Sequence, residues 1–362
     1  MSADAAARYQ PDDKVLLEAV IDDAVRPIVR KIDREGMYPE DALRRLGDAG
    51  AYRSHAVAPA HVGLLAAIAD MASVSAVCMS TGFCMWCQGA LVWYLAKSEN
   101  QSLKQRLLDQ ATSGVQLGGT GLSNPMKAFS GIEPLALKGE RELGGYRVTG
   151  RLPWVSNIGP DHVFASVFAL PDGRRVMAMF DARDSAIKLV QSTEFIALEG
   201  TGTYTVLIKG AFVPDEHILA EDAATFVPRI RQGFVLLQFG MGLGLARGAA
   251  QAMQTHVASA ANAAWLPLQP DVILERAAVL EARVAVLAQN FADPGRAAFL
   301  DVLAARLDLA ELTMAAAQAA ALQAGAGGYV QGSDSHRRQR EALFVGIVTP
   351  SVKHITMELA RG

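Results

Sequence analysis

The stretch of sequence that decides the fold reads Gly144-Gly145-Tyr146-Arg147-Val148-Thr149-Gly150-Arg151-Leu152-Pro153-Trp154-Val155-Ser156-Asn157. Its Gly-Gly pair is a tight-turn signal, and the alternation that begins at Tyr146 predicts a β-strand. Trp154 then places an aromatic surface beside the hydroxyl of Ser156 and the amide of Asn157. Because the sequence on both sides is mostly helical in pattern, this stretch indicates a block of strands between two helical regions.

The strand block extends from about Val115 to Ile218, where Val-Pro-Asp at 213–215 ends the last long strand. Short apolar or alternating runs are separated by Gly and Pro turns throughout this block. The predicted strands are Val115–Gly119, Leu135–Lys138, Tyr146–Trp154, His162–Ala169, Arg175–Asp181, Ile187–Val190 and Thr203–Val213. Several short strands with such turns predict a β-barrel or a β-sandwich.

Both flanks of the strand block have helical periodicity. Apolar residues recur at helical spacing over 15–33, and long, mostly apolar helices with short links follow the block. The predicted C-terminal helices are Phe226–Asn262, Asp271–Asn290, Arg296–Ala324 and Pro350–Ala360. The sequence therefore predicts an α+β, mainly α fold: an N-terminal helical domain (1–112), a β domain (113–222) and a C-terminal four-helix bundle (223–362).

Composition narrows the range of functions. The chain has 362 residues, of which 51% are hydrophobic, and this is ample for a large core. A net charge of −3 and a pI of about 6.2 give no field that favours nucleic acid. Met1 to Lys14 is polar and lacks the apolar core of a signal peptide. Three cysteines are too few for a secreted disulfide framework, so we expect a cytoplasmic protein.

The segment from Met71 to Ala96 carries no charge and is long enough to span a bilayer. It also contains several Ser, Thr and Gly residues, and we expect Gly82 to divide it into two buried helices instead of one membrane span. Within it, Cys84-Met85-Trp86-Cys87 has redox or metal-ligand spacing. No βαβ setting or further ligand pair accompanies it, so we expect buried cysteines and no metal site.

Four glycines lie inside the first long C-terminal helix, Gly240, Gly242, Gly244 and Gly248. They do not match the dinucleotide-binding fingerprint, because the third glycine would fall at Leu245 and no strand precedes them. We expect them to allow close contact between helices, within the chain or between subunits. The long apolar helices also predict a homodimer or homotetramer.

The order of elements and the Gly-Tyr strand followed by Trp154-Val155-Ser156-Asn157 resemble the acyl-CoA dehydrogenase flavoproteins. In that family a tryptophan and a hydroxyl at these positions lie beside the flavin ring, so Trp154 and Ser156 are expected to bind it. A second family loop supplies further flavin contacts. Its counterpart here is Gly119-Thr120-Gly121-Leu122-Ser123-Asn124-Pro125, in which Thr120 and Ser123 are the expected contacts, although the family's glutamate is absent.

A second region of resemblance lies near the C-terminus. Gln323, Gly327-Gly328 and Arg340-Glu341-Ala342 are similar to a Gln, a Gly-Gly pair and an Arg-Asp-Ala of the family. The resemblance implies that Gln323, Gly327 and Gly328 approach the adenosine diphosphate part of FAD bound across a dimer interface. It also places Ser351 at the position of a threonine that contacts the cofactor.

The chain departs from the family at the catalytic base. Counting from Arg340, the usual glutamate position is Thr349, and a neutral hydroxyl is a poor base without an activating partner. Some members carry the glutamate on the first long C-terminal helix, but no acidic residue occurs between Asp222 and Asp271. The family's pyrophosphate-binding arginine is also absent from Ala258 to Leu268, so FMN is an alternative to FAD.

These features leave three functions open. The first is a flavin-dependent dehydrogenase that acts on an acyl-CoA or a related small organic substrate with an unusual base, and that passes electrons to an electron-transfer flavoprotein. The second is a two-component monooxygenase supplied by a flavin reductase, which needs no α-proton base and for which His354 is a catalytic candidate. The third is a catalytically silent subunit that binds a flavin or an acyl group.

Overall fold

The computed structural model describes residues 11–57, 59–191, 193–255 and 260–362. The N-terminal region is helical, and a π-helical turn and a 3-10 turn join its first two helices at 21–28. Its helices are α1 (Pro11–Val20), α2 (Val29–Glu35), α3 (Glu40–Asp48), α4 (Ser54–Val57), α5 (Ala60–Val77), α6 (Met79–Lys97) and α7 (Gln101–Thr112).

The uncharged segment 71–96 does form two helices, but the predicted break at Gly82 is wrong. The chain leaves helical geometry at Cys78, whose backbone is extended with φ −144° and ψ 105°. Gly82 lies inside α6, where a methyl group on its Cα would overlap the hydroxyl of Ser75 on α5. The glycine therefore allows α5 and α6 to pack closely and does not end a helix.

A single mixed sheet of eight strands follows, with β1 outside the main strand order β6-β7-β3-β2-β4-β5-β8. One short helix, α8 (Ser123–Phe129), lies between the first two strands. The strands are β1 (Gly118–Thr120), β2 (Leu137–Glu142), β3 (Gly145–Val155), β4 (Val163–Ala169), β5 (Arg175–Asp181), β6 (Ile187–Val190), β7 (Tyr204–Pro214) and β8 (Ile218–Ala220).

The sheet encloses its own apolar core. Strands at opposite ends of the strand order contribute to the same core, for example Ile187 from β6 and Ile218 from β8, so the sheet curls upon itself. β1 and β2 both pair in parallel with β4, β1 beside Val163 and β2 beside Phe168. This arrangement carries the end of β1, and the start of α8 after it, away from the sheet and toward the helices.

The C-terminal region is helical. Its helices are α9 (Ala223–Leu236), α10 (Phe239–Thr255), α11 (Ala260–Ala263), α12 (Pro270–Gln289), α13 (Arg296–Ala324), α14 (Asp334–Ile347) and α15 (Val352–Ala360). Together with the N-terminal helices and the curled sheet, they confirm the predicted mainly helical fold class with a central β block.

The predicted single helix Phe226–Asn262 is wrong, because the chain divides into α9 and α10 at residues 237–238. No proline or glycine occupies the break. The buried side chain of Gln238 is instead held by partners from α13 and from the loop before α15. Residues 256–259, also part of the predicted helix, lie outside the described residues.

The glycines of α10 pack within the chain. A methyl group on Gly240, Gly244 or Gly248 would overlap atoms of α5, and one on Gly242 would overlap side chains of α13. Of the two expected positions for these glycines, the contact inside the chain is therefore the one observed. The segments Ala60–Val77 and Ala223–Thr255 are apolar enough to cross a membrane, but they are 50% and 94% buried, as core helices of a large protein are.

One buried histidine stabilises the contact between α4 and α6. His55 lies against Gly89, with its Nε2 2.9 Å from the Gly89 carbonyl oxygen, and its side chain is buried. Desolvation by burial lowers the pKa of His55 from 6.5 to about 4, although the bond to Gly89 opposes the shift. The folded chain therefore holds this ring neutral over a pH range in which the unfolded chain protonates it.

We predict a loss of stability in acid that depends on His55. Because its pKa is lower in the folded chain, its contribution is complete above pH 6.5 and is lost as pH falls toward 4, by roughly 3 kcal/mol. His55→Gln keeps a donor for the Gly89 carbonyl but does not titrate. Urea unfolding at several pH values should show a shallower acid decline for His55→Gln than for the parent. Parallel declines would contradict this assignment.

Candidate functional site

A cavity of about 980 Å³ lies where the N-terminal helices, the sheet and the C-terminal helices meet. Most of its wall is apolar, with Phe83 and Trp86 of α6, Phe234 of α9 and Phe344 of α14 among the lining residues. The end of β3, the start of α8 and the start of α15 complete the wall. Drug-sized and cofactor-sized ligands occupy cavities of this size, roughly 300–1,000 Å³, in other proteins.

Trp154, near the end of β3, and Ser156, directly after β3, both line this cavity. The Trp154 side chain is 56% exposed, which is unusual for a tryptophan in a protein with a large core. Thr203 Oγ1 donates a hydrogen bond of 2.7 Å to Ser156 Oγ. The hydroxyl proton of Ser156 is not used in that bond, so it is available to an acceptor on a ligand.

Asn157 fixes the position of this pair. The residue is fully buried and has φ 57°, a left-handed conformation that asparagine tolerates better than most residues. Its Nδ2 donates to the Gly118 carbonyl at 2.7 Å, and its Oδ1 accepts from the Tyr38 hydroxyl at 2.6 Å. Its backbone amide donates to the Thr201 carbonyl at 2.8 Å. The Asn157 side chain thus connects the N-terminal region to β1, and its backbone connects to the turn before β7, directly behind Trp154 and Ser156.

Thr120 and Ser123 also reach the cavity, because β1 ends at Thr120 and α8 begins at Ser123. Thr120 Oγ1 lies 2.9 Å from the Tyr94 hydroxyl of α6. Ser123 Oγ lies 2.8 Å from Thr349 Oγ1, and either oxygen can donate. Only one of the two protons is used in the Ser123–Thr349 bond, so this hydroxyl pair can still donate to a ligand.

Thr349 is held from behind by two fully buried side chains. Gln238 Nε2 donates to the Thr349 carbonyl at 2.8 Å, and Arg306 Nε donates to Gln238 Oε1 at 2.9 Å. Arg306 Nη2 donates to the Val345 carbonyl. The two side chains therefore connect the last turn of α14 to the segment that joins α14 to α15 along the cavity wall.

Among the cavity-lining residues that the structure describes, Glu133 is the only carboxylate. Its Oε1 lies 2.9 Å from Lys127 Nζ and accepts a 2.8 Å bond from Asn124 Nδ2. Partial burial opposes ionisation of Glu133, but the bonds from Lys127 and Asn124 outweigh it and lower its pKa. Glu133 is thus ionised at neutral pH and poorly suited to take a proton from carbon.

His354, on the first turn of α15, lines the cavity as well. Its Nε2 lies 2.9 Å from Ser130 Oγ and 3.8 Å from a carboxylate oxygen of Glu358. Desolvation lowers the pKa of His354, although Glu358 opposes the shift, so the ring is neutral at pH 7. Its Nδ1 is buried without a partner among the described residues. A neutral ring with one unpartnered nitrogen can accept or donate a proton.

The remaining predicted site residues are distributed between two places. Ser351 lines the cavity just before α15 and does not cap that helix through its side chain. Gln323, Gly327 and Gly328 lie at the end of α13, outside the lining of this cavity, where Gln323 Nε2 donates to the Met253 carbonyl. Within one chain the structure therefore brings the β-block residues to Thr349 and Ser351, but not the Gln-Gly-Gly group.

Glu341, the other carboxylate near the family-like segment, is excluded as a cavity group. It is buried against Arg337, with 2.8 Å between its Oε2 and Arg337 Nη1. Burial raises the pKa of Glu341, although Arg337 opposes the shift.

The sequence analysis did not identify four residues of the site: Glu133, Lys127, Gln238 and Arg306. Of these, only Arg306 has a signal in the sequence, because it is a charged residue on the apolar face of a helix.

Residues 15–115 match the family model of the acyl-CoA dehydrogenase N-terminal domain. The N-terminal region of the chain is therefore similar to the N-terminal domain of the acyl-CoA dehydrogenases. The match covers α1 to α7, the helices that pack against the sheet through Asn157 and form the α6 side of the cavity. Three buried cysteines of this region, Cys78, Cys84 and Cys87, are free thiols.

Similar acyl-CoA dehydrogenases include benzylmalonyl-CoA dehydrogenase of Aromatoleum aromaticum, 23% identical over 63% of this chain. Isovaleryl-CoA dehydrogenase of Arabidopsis thaliana is 24% identical over 55% of the chain. The matches span 62% and 51% of the lengths of these two relatives. The short-chain specific acyl-CoA dehydrogenase of Sus scrofa is 24% identical over 89% of the chain and 82% of its own length.

Solved structures of acyl-CoA dehydrogenases have the same fold. Butyryl-CoA dehydrogenase from Megasphaera elsdenii superposes with a TM-score of 0.82 at 14% identity and covers 98% of each chain. A glutaryl-CoA dehydrogenase from Mycobacterium smegmatis, in complex with FADH2, gives a TM-score of 0.73 at 14% identity over 97% of this chain and 94% of its own. At these identities the likeness concerns the fold.

Proposed function

We propose that this protein is a flavin-dependent oxidoreductase that acts on an acyl-CoA or a related small organic substrate without the usual glutamate base. The observation that carries the proposal is the meeting of Trp154 and Ser156 with the Ser123–Thr349 hydroxyl pair around one apolar cavity. Three buried free thiols agree with a reducing, cytoplasmic location.

The residues present fit a flavin ring. The exposed Trp154 side chain offers a stacking surface, and the hydroxyls of Ser156 and Ser351 face the cavity with hydrogen-bonding capacity that the protein does not use. Thr120 and Ser123 would add polar contacts. Gln323, Gly327 and Gly328 lie outside this cavity, so they would serve FAD only from a second subunit; FMN needs no such partner.

A bound flavin supplies the capacity to accept or give two electrons. The chain's own residues position the reactants and exclude water. Thr349 takes the place of the family's base, but its hydroxyl bonds to Ser123 and no activating base accompanies it. We therefore propose that Thr349 binds an oxygen of the ligand and takes no proton from carbon.

A second candidate, a two-component monooxygenase, is favoured by the state of the ionisable groups in the cavity. The negative charge of Glu133 is offset by the ion pair with Lys127. The His354 ring, in contrast, is uncharged, and its Nδ1 has no hydrogen-bond partner among the described residues. These groups suit a reaction that needs no α-proton base. A flavin reductase would then be the partner, in place of an electron-transfer flavoprotein.

Anaerobic reduction of the bound flavin distinguishes these functions. Butyryl-CoA, a simple saturated thioester, should not bleach the flavin of the parent protein, because Glu133, the only carboxylate among the described lining residues, is held ionised by Lys127. Thr349→Glu should bleach slowly, and Thr349→Gln, which has the same length without a base, should not. Absorbance at the flavin band measures each case.

Rapid bleaching of the parent would contradict the assignment of Thr349 and demote the monooxygenase and silent functions together. Glu133→Gln would then show whether Glu133 is the base, since only a catalytic carboxylate would lose bleaching on that change. A parent protein that binds no flavin in either redox state would contradict the proposed function itself.

Trp154→Ala should weaken flavin binding roughly fivefold, because it removes a stacking surface worth on the order of 1 kcal/mol. Fluorescence titration of FAD and FMN measures the dissociation constants. Trp265→Ala is the matched control, since Trp265 is 87% exposed and outside the cavity lining. Equal affinities for the parent and Trp154→Ala would refute the placement of the flavin ring.

We also propose a homodimer or homotetramer formed through α12. Val272, Val279 and Val286 recur at seven-residue spacing on α12 and are exposed, and Tyr329, beside Gly327-Gly328, is 93% exposed. An exposed apolar stripe of this kind marks an interface.

Sedimentation of the parent at micromolar concentration should give a dimer or larger species. The double variant Val279→Glu/Val286→Glu should dissociate it, because like charges would face one another without solvent. Leu143→Glu, at a fully exposed turn between β2 and β3, is the control. A monomeric parent would refute the assembly, and an intact double variant would refute the choice of surface.

A further inference from the structure

Arg306 is a buried charge without a counter-charge. It lies in the middle of α13 with no exposed surface, and its Nη1 has no hydrogen-bond partner. Its other donors bond to the amide oxygen of Gln238 and to the Val345 carbonyl, which are both neutral. Within the described part of the chain no carboxylate lies within ion-pair distance of its guanidinium.

Burying a charge without an opposite charge beside it lowers the stability of the folded protein. Proteins keep such a group only where another property of the protein benefits from it. Burial lowers the pKa of Arg306 from 12.5 to about 10, so the side chain still carries its charge at neutral pH. Arg306 is therefore positively charged at every physiological pH, and only a ligand could supply the negative charge that would neutralise it.

Arg306 acts on the cavity through the segment that joins α14 to α15. It bonds to Val345 in the last turn of α14 and, through Gln238, to Thr349 in that segment, and the residues between Val345 and Thr349 line the cavity. Thr349 itself is neutral, and Lys127 offsets the charge of Glu133. Arg340 is paired with Asp33, and Lys353 adds a further positive charge to the lining, so the balance of charge around this wall of the cavity is positive.

We propose that Arg306 makes this cavity bind the anionic reduced form of a flavin more tightly than the neutral oxidised form. This inference rests on the proposed function, and it assigns Arg306 as an electrostatic residue that does not touch the ligand. The phosphates of FMN or FAD carry the same charge in both redox states. A difference in affinity between the oxidised and reduced flavin therefore measures the electrostatic field at the flavin ring.

The test measures dissociation constants for oxidised FMN and FAD, and for the same flavins reduced with dithionite under anaerobic conditions. In Arg306→Met the ratio of oxidised to reduced dissociation constants should fall on the order of tenfold, the effect of one buried unit charge at an effective dielectric constant near 20. For a two-electron couple, tenfold equals a lowering of the bound flavin's potential by about 30 mV.

A pair of variants at Gln238 separates charge from shape. Gln238→Glu places a carboxylate against Arg306 and should lower the ratio as Arg306→Met does. Gln238→Met breaks the same bonds to Thr349 and Arg306 but leaves the positive charge, so the ratio should stay at the parent value. Arg283→Met, which removes an exposed arginine of α12 that pairs with Asp308 of α13, is the surface control.

The proposal is overturned if Arg306→Met and Gln238→Glu keep the parent ratio, or if Gln238→Met lowers it as much as Gln238→Glu. Should Arg306→Met fail to fold by circular dichroism, the two Gln238 variants decide the matter alone. Failure of the parent to bind flavin in both states would instead reject the proposed function. The two failures are thus distinguishable by the parent's own titration.

Discussion

The side chain of Asn157 is the junction on which the cavity depends. It is buried where the N-terminal helices meet the sheet, and its carboxamide joins Tyr38 to Gly118 while its backbone joins Thr201. The left-handed backbone favours asparagine over bulkier residues, and a side chain without both a donor and an acceptor could not make the two bonds. Trp154 and Ser156 lie three residues and one residue before Asn157. Loss of the Asn157 hydrogen bonds would therefore displace the wall that we propose binds the flavin ring.

The cavity combines fixed hydroxyls with an unusual distribution of charge. Thr349, Ser123, Ser156 and Ser351 offer neutral hydrogen-bonding groups, and the sole lining carboxylate in the described residues is offset by a lysine. A buried carboxylate base would need room, partial desolvation and freedom from a nearby cation. The last of these conditions is not met beside Thr349, where the buried Arg306 lies behind the wall.

Much of the fold could be predicted because its signals are local. Gly295 and Gly325 flank α13, and the predicted bounds of this helix, 296–324, are the observed ones. Turn residues around β5 and β6 likewise allowed the bounds of these two strands to be predicted correctly. The break before α10 could not be predicted, because its cause is the bond between Gln238 and a residue on another helix. Glu133 was missed for a similar reason: only the fold brings the loop after α8 to the cavity.

Arg306 shows how much a sequence pattern conveys about a buried site. It stands among Val302, Leu303, Leu309 and Ala310, on the apolar stripe of α13, and a charge at such a position signals a special environment. The pattern cannot say which groups meet it, because Gln238 and Val345 lie far away in the chain. The flavin-binding assignments of Thr120, Ser123, Trp154, Ser156 and Ser351 remain predictions, although the structure places all five around one cavity.

The contact between α5 and α10 has a consequence for any attempt to reshape this protein. Because Gly240, Gly244 and Gly248 bring the two helices together at backbone distance, any larger residue at these positions would force the helices apart. Changes of substrate range are instead open at the cavity wall, where Phe83, Phe234 and Phe344 are replaceable side chains. The glycine contact is a fixed part of the framework, and the cavity wall is the part on which selection or design can act.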